Sequence, residues 1–455
     1  MKGLGKSAAV LAAVAAMTLS LVGCFLAAGV TSTPALSKGV ITAKGSVFVN
    51  GVEYNDSAAA ITIGDAANHT DADLKVGMVV EVKGSIEGGG KGVATEVLYA
   101  ANLEGTIDAS PAPNTATGVF YVFGHKIATD STTVFDGVTG LSGLAAGDRV
   151  EVSGVADAAA GVLNASRVEK LSTTGEFKIR GVVSGLPGNP FTVTNDDGKT
   201  VQVNVTSGTL DPSIANGSTV IVHFAAWSNP FTVPADMVRL IKELKADDGE
   251  HTEVSGVVSG FAAGPPATFT VDGVSVSASG SLAAGVANGV RVEVQGTMTA
   301  GVLVADEVRV AQKSTIEAQG AVTGVGSTNL TVDGVVFAVT ATTICRDERS
   351  AAVGQFGLAN IAVSDFLQVR GYIDSSTGAV VAARVERLNG PGTTTLSAPV
   401  TAVVSNTLTM AGINVDISGL ANKATLLAVG IGTRVVVSGT MSGVTFIATS
   451  GAVDN

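Results

Sequence analysis

Large side chains and chemically reactive ones are scarce in this chain. Of 455 residues, two are cysteine, one is tryptophan, four are tyrosine and four are histidine, and only 15% are charged. So few rings exclude one large aromatic core. Two cysteines exclude a disulfide framework of the kind that staples small secreted domains. The histidines, His69, His125, His223 and His251, stand far apart, and no spaced zinc signature accompanies them. They read as scattered surface or turn residues. No Walker, H-E-x-x-H or G-x-S-x-G pattern occurs, and the glycine-rich Glu87–Gly92 lacks Walker spacing, so it reads as a hairpin loop.

What the chain has in quantity is glycine, 57 residues of it, set among Val, Thr and Ala. β-Branched residues punctuated by glycine favour many short strands and tight turns over long amphipathic helices. Excess acid gives a formal charge of −12. Such a surface repels phosphate backbones, so a nucleic-acid partner is not expected.

The amino end has the layout of a secretory signal: Lys2 and Lys6, then an uncharged run from Ala8 to about Val30. Within it, Leu21-Val22-Gly23-Cys24 resembles a bacterial lipobox, which implies diacylglyceryl transfer to Cys24, loss of residues 1–23 and an acylated new amino end. Several acyl chains anchor lastingly where one does not. An ordinary signal cut further along, or an uncleaved span, are the alternatives. Phe25 rather than Asp follows Cys24, which by the same resemblance points to the outer membrane. With Cys24 lipidated, Cys345 has no disulfide partner and reads as a small buried hydrophobe.

Downstream, one strand is written again and again. "GMVVEVKG" ends at Gly84, "GDRVEVSG" at Gly154, "GSTVIVHF" at Phe224, "GVRVEVQG" at Gly296, "SDFLQVRG" at Gly371 and "GTRVVVSG" at Gly439. A period near 70 residues means duplicated modules close to the smallest independent folding unit. The fourth copy is the cleanest: a strand at Val254–Gly260, a hairpin around Asp272-Gly273, about one helical turn in "SLAAGVANG", then two more strands. Five strands with a short helical element between the third and fourth is the order of an OB-like barrel.

The expectation is therefore an all-β chain of about six tandem five-stranded barrels: signal 1–23, tether 24–38, and modules 39–103, 104–174, 175–246, 250–313, 316–389 and 394–455. In the anchor strand Val150 and Val152 would face inward, with Arg149, Glu151 and Ser153 outward; Gly154 would permit a bulge or a reversal. Linkers of about six residues reach about 20 Å, so a rod of touching modules with limited bending is expected.

These motifs resemble a bacterial domain-of-unknown-function family, number 5666. Its hairpin stands here as Thr270–Val274 or Thr331–Val335, its anchor strand as Leu144–Gly154, and its last strand as Ala165–Val168 or Ala305–Val308. The resemblance covers nearly everything after the leader, with the third and sixth copies worn. It implies a fold and an envelope setting and brings no activity.

Candidates for chemistry are few. No serine, histidine or carboxylate pair recurs at a constant position to make a repeated active site. Glu81, Glu151 and Glu293 do recur, and read as a solvated strand face. Asp71 and Asp73, Asp196 and Asp197, and Asp247, Asp248 and Glu250 could offer oxygens to Ca²⁺, but none matches an EF-hand loop and such residues are routine turn formers. No metal or cofactor is expected. Aromatic platforms for a sugar or base are confined to Phe120, Tyr121, Phe123 and His125 in module 2 and Phe224, Trp227 and Phe231 in module 3. Some of these rings should be core, which leaves Tyr121, Phe123, His125 and Trp227 as ligand candidates, and at Trp227 packing between modules competes with ligand contact. The expected role is a non-enzymatic, lipid-tethered envelope protein that meets an envelope protein or glycan. A ligand-binding or Ca²⁺-dependent module on copies two and three is the alternative.

Overall fold

The computed structural model describes residues 32–453, apart from 44–45, 89–90, 116, 131, 139, 280–284, 311–314, 341–342, 348, 350–355 and 375–376. The leader and Cys24 lie outside the described residues. The rest is built almost wholly of strands, arranged as small five-stranded closed barrels and one half-barrel in tandem.

Module 4 sets the pattern. Its first strand, His251–Ala262, pairs with the second, Ala267–Val271, and with the fourth, Arg291–Thr299. The third, Val274–Ala278, runs parallel to the last, Val302–Val310, which closes back on the fourth. That circuit is the OB-like one. Modules 1, 5 and 6 repeat it, and module 2 closes through a single bridge, Ile107 to Val122. The short helical element is a 3-10 turn at Asp71–Asp73, Leu141–Gly143 and Leu358–Asn360, and a five-residue α-helix at Lys423–Leu427. Part of the module 4 segment lies outside the described residues.

Two recurring glycine positions, both filled in modules 1, 2, 4 and 5, make these small barrels possible. In the anchor strand, Gly84, Gly154, Gly296, Gly371 and Gly439 each mark a register shift against the last strand. A Cβ there would stand 2.0–2.3 Å from a carbonyl oxygen of that strand. The glycine makes a bulge, and the strand does not end there: Arg149–Asp157 runs on past Gly154. In the first strand, Gly39, Gly105, Gly256 and Gly320 leave room for the hairpin tip folded over them; a Cβ on Gly320 would lie 2.3 Å from Asp333 Oδ1.

Module 3 has Phe224 at the anchor position, and its strand Thr219–Phe224 stops there without a bulge. The last strand is broken into Phe231–Val233, which pairs with Thr200–Val205, and Val238–Leu240, which pairs with Thr219–Phe224. Without the bend that a bulge imposes, no continuous strand closes the circuit. This module is the half-barrel, and phenylalanines 191, 224 and 231 fill its interior.

The cores of modules 1 to 4 are separate valine-rich clusters, whereas those of modules 5 and 6 merge into one. The sheets also cross module boundaries, always through first strands. Leu103–Thr106 of module 2 pairs with Phe177–Ser184 of module 3, and Ile316–Val325 of module 5 with Thr395–Val404 of module 6. Module 1 reaches past its neighbours: Thr33–Ala43 lies parallel to His251–Ala262 of module 4. Within each barrel the beginning of the first strand has only the fourth strand beside it, so one edge is left open, and pairing of modules covers it. The arrangement therefore departs from a simple serial rod. It also starts the strand Thr33–Ala43 within what reads as tether from sequence, residues 24–38, with Ala35 and Leu36 buried.

Candidate functional site: the junctions between modules

Because barrels are packed side by side, their outer faces are not all solvated. Val150 and Val152 point inward, fully buried, yet Arg149 and Ser153 on the other face are buried as well, at 7% and 1% exposure. Arg149 donates to Glu104 and to the carbonyl oxygens of Thr174 and Glu176. The Ser153 hydroxyl accepts the N–H of Val79 in module 1 at 2.9 Å.

The recurring glutamates follow the same logic, which corrects their reading as a solvated face. Glu81 is buried, 3.1 Å from Lys38, and accepts the N–H of Leu244 at 2.8 Å. Glu151 accepts the hydroxyl of Tyr99 from module 1 at 2.7 Å, and burial holds its carboxyl above the ordinary value. Burial does the same to Glu293, against the pull of Arg291 and Arg309.

Four modules meet at one charged centre. Lys38, just before Gly39 in module 1, stands 3.1 Å from both Glu81 and Asp272, the latter from the hairpin tip of module 4. Burial disfavours the ammonium, but Asp272 and Glu81 outweigh it and raise its pKa. Arg180 of module 3 pairs with Asp196 at 3.2 Å, and Asn102, at the entry to module 2, donates to the same carboxylate at 2.6 Å. Asn102 also accepts the N–H of Gly154 at 2.8 Å. Between these groups is a small polar void lined by Lys38, Glu81, Asn102, Arg180, Glu243 and Asp272. Lys38, Asn102 and Arg180 were not singled out from sequence. A signal was present in Lys38-Gly39, Glu104-Gly105 and Arg180-Gly181: a charge beside the first-strand glycine of a valine-rich strand.

The aromatic candidates form a second junction, between modules 2 and 3. Phe123 sits at a hairpin tip with φ of 50°, followed by Gly124 at 78°, and the Asp108 carboxylate accepts both their N–H groups. Its ring stacks on Trp227 with centroids 4.8 Å apart and planes 9° from parallel, and it meets Phe177 edge-on at 5.2 Å. Trp227 in turn meets Phe231 at 5.2 Å, so a ring from module 2 helps cover the opening of the half-barrel. Trp227 keeps 37% of its surface exposed.

His125 is buried rather than on the surface, with Nδ1 2.7 Å from Asp197 Oδ2. Burial works to raise the Asp197 carboxyl, and the hydrogen bond and charge of His125 overcome it, so its pKa lies below the ordinary value. Phe123, His125 and Trp227 are thus brought together. Tyr121 is not; it lies opposite Lys126 on the other face of its hairpin. His223 is also buried, between Glu176 at 3.2 Å and Asp65 of module 1 at 3.6 Å. Among the described residues no three His, Cys, Asp or Glu side chains converge as metal ligands. Asp196, Asp197 and Asp247 are each engaged by a basic side chain. Cys345 is a free, buried thiol whose pKa burial pushes up to about 12.

Barrels of this topology, repeated and joined through their first strands, define a tandem small-β-barrel protein. Residues 38–97, 104–169, 255–309 and 319–386 match the family described as Domain of unknown function (DUF5666). These four regions cover more than half of the chain, and the protein belongs to that family. Modules 3 and 6 fall outside the matches; one lacks the bulge glycine, and the other has Ala398 in place of the first-strand glycine. No curated protein matches the chain.

Proposed function

We propose that this is a non-enzymatic, lipid-anchored protein of the bacterial cell envelope, tethered through Cys24 at the outer membrane. Its paired barrels act as a scaffold whose free faces meet an envelope protein or glycan. One observation carries the reading: the charged and aromatic side chains able to do chemistry, Lys38, Glu81, Glu151, Arg180, His125 and Trp227, are engaged in holding modules together. Groups already engaged with one another in this way suit a rigid carrier better than a reaction centre.

The anchor is tested by Cys24→Ala, which should move the protein from the membrane to the soluble fraction; retention on membranes would count against it. A thermal-shift screen with Ca²⁺ and envelope glycans addresses the alternative. The scaffold reading expects no response to Ca²⁺, and a strong shift that Trp227→Ala removes would transfer the function to a ligand site at modules 2 and 3.

A further inference from the structure

The hairpin tips of modules 4 and 5 carry the same dipeptide, Asp272-Gly273 and Asp333-Gly334, with φ of 45° and 52° at the aspartates. Each aspartate folds over the first-strand glycine of its own barrel, Gly256 or Gly320. Their charges meet different fates. Asp272 has the Lys38 ammonium of module 1 at 3.1 Å. Asp333 is 4% exposed, and its Oδ2 has no hydrogen-bond partner among the described residues. What lies against this tip is apolar and comes from module 6: a Cβ on Gly334 would stand 3.0 Å from Met441 Cε and 3.1 Å from Ile413 Cδ1.

We propose that Asp333 is a protonation switch on the joint between modules 5 and 6: the neutral carboxyl stays buried beneath module 6, and the carboxylate draws in water and loosens that contact. An unpaired charge in such a place costs far more than a neutral acid. Among the described residues, no neighbouring element supplies a free cation. Glu317 on Ile316–Val325 is tied to Arg370 at 3.1 Å and to Gln368 at 2.6 Å, and Arg370 on Phe366–Ile373 also holds Glu386 at 3.2 Å. Asp365, just before that strand, pairs with Arg387 at 3.1 Å. Strands Asn329–Val332, Val335–Ala338, Thr395–Val404, Thr407–Met410 and Thr445–Val453 carry no ionisable side chain. Asp416 at the end of Ile413–Asp416 accepts the Ser418 N–H, and Arg434 at the start of Arg434–Ser442 donates to Ser397.

Consistent with this setting, burial pushes the Asp333 carboxyl up to about 7. The sign follows from linkage. The folded joint holds its proton more tightly than the unfolded chain does, so the contribution is complete below the ordinary carboxylate range and is lost as pH rises through about 7.

The full chain and its Asp333→Asn variant should be melted at pH 5 and pH 8, with amide exchange followed at Thr407–Asp416. At pH 5, above the ordinary carboxylate range but below about 7, the variant's advantage should be smaller than at pH 8. At pH 8 the variant should melt higher by about 4 °C or more in the transition of modules 5 and 6, and that hairpin should exchange several-fold more slowly. No difference at either pH, or the same difference at both, overturns the proposal. Met441→Lys gives an independent arm, supplying the cation that Lys38 gives Asp272. It should abolish the loss of stability between pH 5 and pH 8, and an unchanged pH dependence would equally overturn the switch.

Discussion

Lys38 shows how much one side chain does here. Its ammonium holds two carboxylates from different barrels, Glu81 and Asp272, and removing it would leave both without their nearest cation, with Arg180 as the remaining positive charge at the centre. Breaking a fully buried pair costs about 3–5 kcal/mol; with Lys38 and Asp272 each about a fifth exposed, the cost here is smaller. Lys38→Met should therefore lower the melting temperature at neutral pH, and the deficit should shrink when Asp272→Asn is combined with it; a purely additive double variant would show that the two residues do not interact. At this scale the sequence was half legible. Alternation marked Val150 and Val152 as interior because a barrel has an inside. It marked Arg149, Ser153 and Glu151 as solvated because it cannot register that another barrel covers the outside. The buried His125 and His223 were missed for the same reason, since their carboxylate partners come from a neighbouring module or from the linker that leads into module 3.

At the scale of the element, the anchor strand with its terminal glycine was the clearest feature of the sequence, and it is the one on which closure turns. A side chain at Gly296 would begin 2.0 Å from the carbonyl oxygen of Val304. Relief requires the fourth and last strands to separate, so Gly296→Val should cost at least about 3 kcal/mol, above the usual range for overpacking, because the obstacle is backbone. Limited proteolysis should then find new cuts within Arg291–Val310. Gly419→Ala, where nothing lies within 4 Å of the added Cβ, should leave the digestion pattern unchanged. The third copy has already made this substitution with Phe224, and its split last strand is the outcome. The sequence flagged that copy as divergent; the opening of its wall follows from the missing bulge.

For the whole molecule, what the sequence could not convey is which module touches which. Hydrophobic period and turn chemistry are local, whereas Ala35 and His251 pair across more than two hundred residues through backbone groups that any residue could supply. A serial rod was the natural expectation from short linkers. The six modules instead cover their open edges two by two, so an interrupted set should be adhesive. A chain ending after module 3 keeps modules 2 and 3 joined but leaves Thr33–Ala43 with an uncovered edge. It should self-associate in sedimentation, while the complete chain stays monodisperse; a monomeric truncation would mean that this edge is not adhesive.

That long-range pairing also imposes a timetable. A polypeptide that emerges amino end first can complete the first barrel while the fourth is still more than a hundred residues behind. Until His251–Ala262 arrives, the earliest-made barrel travels with a sticky flank, which is a natural place for a holding chaperone to bind.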